Sequence, residues 1–184
     1  MDVCTVAGIV GRRGSGKTTL LKILAAAQRR VIFWDWRGEY EGERVNGLKE
    51  LAAILISKRK RFTLVYRPGA GSLIYEFDAL CHVVRCLGEN LTFCCDEISL
   101  VTPNYKEGGF GLLLRYSRPQ RINLFWATQR ATRIPGVLMS ELNRLYVFHL
   151  HQRSDLQALA NVLDPEALGR VAALPPHEYL TVNL

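Results

Sequence analysis

The chain has 184 residues, 48% of them hydrophobic, with 24 Lys and Arg against 17 Asp and Glu for a formal net charge of +7. That length holds one domain with a sizeable core, the apolar content argues against disorder, and no apolar run reaches the length of a bilayer span. The positive balance suits a polyanionic partner. The first residues carry no charged leader or cleavage site, so the expected compartment is the cytosol. The five cysteines include no C-x-x-C pair, which argues against zinc and for small buried thiols in a reducing compartment.

Residues 3–10 are mostly apolar and β-prone, and residues 19–27 are good helix formers. Between them runs Gly11-Arg12-Arg13-Gly14-Ser15-Gly16-Lys17-Thr18, the G-x-x-x-x-G-K-T pattern of a phosphate-binding loop. At a strand-to-helix junction, free backbone N–H groups and the positive end of the helix dipole face one anion. The glycines let the backbone curl around phosphates. Lys17 is placed to reach the β- and γ-phosphates of ATP, and the Thr18 hydroxyl to ligate Mg²⁺. The expected nucleotide-binding set is Gly11, Arg12, Arg13, Gly14, Ser15, Gly16, Lys17, Thr18 and Thr19.

Residues 31–35 read as a second strand, with Asp35 and Glu39 at its carboxyl end. They fit a place near the nucleotide or a neighbouring subunit, or a solvated loop. Residues 48–57 have helical spacing and end in Lys58-Arg59-Lys60-Arg61, either a solvated helix end or a phosphate-contacting patch. A strand at 62–66 and a helix at 73–87 follow, with Gly88 as C-cap. Residues 91–95 form a buried strand that runs into Asp96 and Glu97. Beside a phosphate loop this is a Walker B pattern, in which Asp96 holds Mg²⁺ and Glu97 is the general base toward water. Residues 101–109 read as loop and 110–117 as a short helix. The strand 122–127 ends in Thr128-Gln129-Arg130, where Gln129 either senses the γ-phosphate or caps the next segment.

Residues 135–143 read as a helix, 145–150 as a strand, Ser154-Asp155 and Asp164-Pro165 as helix starts, and 177–182 as a last strand. His149 and His151 lack a third metal ligand and read as structural or surface residues. The alternation of apolar runs and helices gives an α/β domain over residues 1–184, with a mostly parallel central sheet.

The order of phosphate loop, Asp35-x-x-Gly38-Glu39-Tyr40, Asp96-Glu97, Arg118 and Ala127-Thr128-Gln129-Arg130 resembles the HerA–FtsK superfamily of DNA-pumping ATPases. Asn143 to Phe148 followed by Ser154-Asp155 is similar to that family's closing strand and helix. Trp36 and Arg37 depart from the pattern by replacing Pro-Lys. The resemblance implies a RecA-like core, helices on both sheet faces, and a homo-oligomeric ring acting on double-stranded DNA. It makes Lys17, Glu97, Gln129 and Arg118 catalytic, with Arg118 entering a neighbour's site and Arg115 and Arg121 as nearby substitutes. With no barrel, membrane segment or winged helix in 184 residues, the chain looks most like the genome-packaging ATPases of tailless icosahedral viruses with internal membranes. Such a protein works in the host cytoplasm or with the virion, at a capsid vertex or membrane component. Lys58, Arg59, Lys60, Arg61, Lys106 and Arg133 are the expected DNA contacts. A chromosomal or plasmid translocase core, a small-molecule P-loop kinase and a nucleotide-gated adaptor are the other readings.

Overall fold

The computed structural model describes residues 4–102 and 108–184. Among the described residues, eight strands lie in one sheet: β1 (Val6–Val10), β2 (Arg30–Trp34), β3 (Glu43–Val45), β4 (Phe62–Tyr66), β5 (Leu91–Cys95), β6 (Ile122–Thr128), β7 (Arg144–Phe148) and β8 (Tyr179–Asn183). Their order is β3-β4-β2-β5-β6-β1-β7-β8. All pairs are parallel except β7 with β8. The central strands are buried on both faces, which is why β1 reads as an unbroken apolar run and β5 is interrupted only by the buried Thr92.

The helices are α1 (Lys17–Ala26), α2 (Leu48–Ile56), α3 (Leu73–Leu87), α4 (Ile98–Val101), α5 (Gly109–Tyr116), α6 (Gly136–Ser140), α7 (Arg153–Leu159) and α8 (Pro165–Ala173). They divide unequally. Leu20, Leu21 and Ala25 of α1 pack with Ala7, Ile9, Val31, Phe33, Cys94 and Phe125 on one sheet face. The opposite face takes Leu51, Leu80, Leu113, Leu138, Leu159 and Val171 from the helices α2, α3 and α5 to α8. The larger core is centred on Trp34, whose ring meets Phe77 edge-on at 5.1 Å. No described helix is long and apolar enough to cross a membrane.

Several expectations need correction. β3 is a strand in a stretch to which the sequence reading assigns no element, and of the stretch expected as loop Val101 belongs to α4. Gly109 already belongs to α5; residues 103–107 of that stretch lie outside the described residues, as does Val3 of the first strand. Gly88 does cap α3, but in extended backbone at φ −78°, not the left-handed form. Cys4, Cys81, Cys94 and Cys95 are buried thiols, whereas Cys86 is exposed on the last turn of α3.

Candidate active site

In a parallel sheet the carboxyl ends of the strands share one edge, and here the ends of β1, β2, β5 and β6 meet there. The phosphate loop leaves β1 at this edge, and Gly11 N–H donates to Thr128 O at 3.2 Å, tying the loop to β6. A β-carbon on Gly11 would stand 2.7 Å from Phe148 Cβ and 2.7 Å from Ser15 Oγ, so no side chain fits. Gly16 caps α1 at φ 105°, a backbone that L side chains rarely adopt. Lys17 is buried, and its ammonium folds back to donate to Arg12 O at 3.0 Å. Burial pulls the Lys17 pKa below its ordinary value, and the carboxylates of Glu97 and Asp96 oppose that shift. The buried Ser15 Oγ has no hydrogen-bond partner inside the loop. A cradle of this kind is built to hold phosphate oxygens.

Thr18 Oγ1 donates to Asp96 Oδ2 at 2.8 Å, across 78 residues of sequence. The two residues expected at the metal therefore meet. Both present hard oxygen donors, the chemistry that suits Mg²⁺. Tyr40, which the sequence reading left unassigned, donates its hydroxyl to the same Asp96 Oδ2 at 2.9 Å. Burial, then the charge of Asp96, pushes the Tyr40 phenol pKa far up, so the hydroxyl stays a donor. Tyr40 is itself held by Asp35, whose buried carboxylate accepts from Glu39 N at 2.8 Å, Tyr40 N at 3.3 Å and Arg67 Nε at 3.2 Å. Asp35 thus serves the turn that aims Tyr40, while Glu39 faces outward and approaches Arg37 at 4.0 Å.

Glu97 follows β5 with left-handed backbone, φ 58° and ψ 53°. A non-glycine residue there is strained, and such strain concentrates at working sites. The carboxylate is clasped: Gln129 Nε2 donates to Oε2 at 2.8 Å, Gln129 N to Oε1 at 3.1 Å, and Ser99 Oγ to Oε1 at 3.2 Å. Gln129 therefore does not cap the following segment; it binds the expected base.

Arg130 is the functional-site neighbour that sequence reasoning missed. Its Nε pairs with Asp155 Oδ2 at 2.9 Å. Asp155 is buried and also accepts from Thr132 N at 3.2 Å. The cap expected at Ser154-Asp155 is corrected accordingly: Gln152 is the N-cap of α7, with no side-chain cap, and Asp155 sits in the first turn facing Arg130. The α8 cap holds, with Asp164 accepting from Ala167 N at 2.7 Å. A cleft of about 200 Å³ beside the loop is lined by Arg12, Arg13, Gln129, Arg130, His151 and Asp155. His149 Nδ1–H donates to Leu174 O at 2.8 Å, a structural bond.

Arg118 is not brought to this edge. It precedes β6, at the amino end of the seven-residue strand whose carboxyl end carries Gln129. The two ends are about 20 Å apart at ~3.3 Å per residue. Its side chain is exposed and lies 3.7 Å from Glu141. Arg115 and Arg121 share that end. The expected DNA contacts separate too: Lys58, Arg59, Lys60 and Arg61 precede β4 at the amino edge, while Arg133 follows β6 at the carboxyl edge. Arg59 is paired with Glu43 at 2.6 Å. Lys106 lies outside the described residues.

A mostly parallel sheet with a G-x-x-x-x-G-K-T loop between its first strand and helix, and Asp-Glu at the end of a neighbouring strand, is the α/β fold of the P-loop NTPases. Within that class the chain is similar to the genome-packaging NTPase B204 of Sulfolobus turreted icosahedral virus 2, solved in complex with sulfate. The TM-score is 0.79 at 20% identity, over 100% of this chain and 92% of that one. The ATP-gammaS complex of B204 gives 0.77 at 20% identity, over 100% and 94%. VirB4 of Thermoanaerobacter pseudethanolicus gives 0.65 at 12% identity, over 97% and 86%. No protein-family model and no curated protein sequence matches the chain.

Proposed function

We propose that this chain is a Mg²⁺-dependent ATPase of the HerA–FtsK superfamily that drives double-stranded viral DNA into a preformed capsid. The observation that carries the reading is the clasp of Glu97 by Gln129 at 2.8 Å, beside Asp96 joined to Thr18 at 2.8 Å. On this reading one sheet edge combines a phosphate cradle, a metal-type oxygen pair, Glu97 as general base and Gln129 as the polar sensor bonded to it. The likeness in fold to the DNA-packaging ATPase of Sulfolobus turreted icosahedral virus, at TM-score 0.74, supports the same reading.

Each group has a defined task. The loop from Gly11 to Thr19 wraps the triphosphate, and Lys17 leaves Arg12 O to meet the β- and γ-phosphates. Thr18 and Asp96 would hold Mg²⁺, which neutralises charge that grows on the phosphoryl oxygens. Glu97 takes a proton from the attacking water once Gln129 releases its carboxylate. Gln129 turns to the γ-phosphate, so loss of that phosphate is felt at β6. Arg118, exposed and about 20 Å from its own Gln129, would act in a neighbour's site, which requires a ring. Contacts to DNA go through its phosphates, so binding is sequence-tolerant and salt-sensitive. The work takes place in the host cytoplasm or with the virion, against a capsid or membrane component.

The test is phosphate release with and without duplex DNA, then with Arg118→Ala mixed into wild type. DNA stimulation and poisoning of the mixture are expected. Release that ignores DNA would remove the translocation reading, and an unpoisoned mixture would remove the shared site.

A further inference from the structure

The phosphate loop accounts for a triphosphate and for nothing else of a nucleotide. Asp96 and Tyr40 fill the β5 side of α1, where the metal-type oxygens meet. In the strand order β1 stands between β6 and β7, so the flank of the loop opposite β5 lies beside β7 and β8. That flank is aromatic. Phe148, buried at the end of β7, has a ring carbon 3.4 Å from where a β-carbon on Gly16 would stand. Tyr179 faces Phe148 across the antiparallel pair, with ring centroids 5.2 Å apart, and remains 42% exposed. His177 Nδ1 lies 3.8 Å from the same point on Gly16.

The backbone at His177 is an independent observation. Residues 175–178 form a turn closed by Glu178 N–H on Pro175 O at 3.3 Å. Pro176 is second, and His177 is third with φ 66°. The third slot of such a turn ordinarily holds glycine or asparagine, because a β-carbon there is strained. This chain accepts that strain and keeps an imidazole against the phosphate loop. The bond from His149 Nδ1–H to Leu174 O at 2.8 Å anchors the turn.

We propose that His177 and Tyr179, backed by Phe148, form the shelf on which the base of the bound nucleotide stacks. The inference rests on the ATP-binding reading above. Every base has a π face, so a shelf of this kind adds affinity with little choice among bases.

The experiment is calorimetry on the full chain with two probes, AMP-PNP and inorganic tripolyphosphate, each with magnesium. Wild type, His177→Gly and Tyr179→Ala are compared. His177→Gly relaxes the turn, so it reports on the ring without unfolding the protein. Both variants are expected to bind AMP-PNP about tenfold more weakly, with tripolyphosphate affinity unchanged. Unchanged AMP-PNP affinity overturns the shelf alone, and so does an equal loss for both probes. Wild type that binds neither probe overturns the shelf together with the ATP-binding reading.

Discussion

Replacing Tyr40 by Phe deletes one hydroxyl and keeps the ring, which stacks on Phe33 at a centroid distance of 4.3 Å. The lost bond is the 2.9 Å donation to Asp96 Oδ2. A hydrogen bond to a charged group contributes about 1.5–3 kcal/mol. Asp96 is half-buried and keeps the Thr18 hydroxyl, so water replaces part of the loss and the low end applies, about 1.5 kcal/mol, which is roughly tenfold. That loss falls on the orientation of Asp96, and therefore on magnesium. The magnesium midpoint of ATPase activity is expected to rise about tenfold, with the melting temperature within a few degrees of wild type. Because the phenol pKa lies far above its ordinary value, the hydroxyl donates throughout the working range, and the ratio between variant and wild type stays flat from about pH 6 to pH 9. A magnesium midpoint within about twofold of wild type, in a variant that melts normally, would refute the role given to Tyr40.

Glu97→Gln is expected to bind ATP and lose at least about a hundredfold in turnover, and near-normal phosphate release would rule out the assigned base. Asp155→Ala strands Arg130 and the Thr132 amide, two donors with no other acidic partner among the described residues; a loss of about 2 kcal/mol should lower the melting temperature by roughly 4–8 °C. Gly11→Ala drives a β-carbon against Phe148 Cβ at 2.7 Å, so calorimetry should find nucleotide binding abolished or reduced by orders of magnitude. Duplex affinity measured against salt should fall linearly on logarithmic axes, and Lys60→Ala should shrink that slope by about one if Lys60 meets a phosphate.

The parts of this site that are local in sequence were legible there. The phosphate loop is eight consecutive residues between two strongly patterned elements, and Asp96-Glu97 ends a fully buried, mostly apolar strand. What escaped is non-local or short. Tyr40 and Asp96 are 56 residues apart, and only the pairing of β2 with β5 brings their ends together. Asp155 was read as a helix cap because Asp favours helix starts, yet its partner Arg130 is 25 residues upstream, beyond any local pattern. β3 has three residues and α4 has four, too few to show a period of 2.0 or 3.6. The separation of Arg118 from its own phosphate loop follows from strand direction, which spacing along the chain does not encode.

Gln129 and Arg130 are joined by a single peptide bond, and they grip different bodies. One holds the Glu97 carboxylate at 2.8 Å, and the other holds α7 through Asp155 at 2.9 Å. A peptide unit is planar and stiff, so the two grips are separated by only the backbone dihedrals that flank one plane. On the proposed reading, loss of a phosphate at Gln129 would reach the helical layer behind the sheet through this single link.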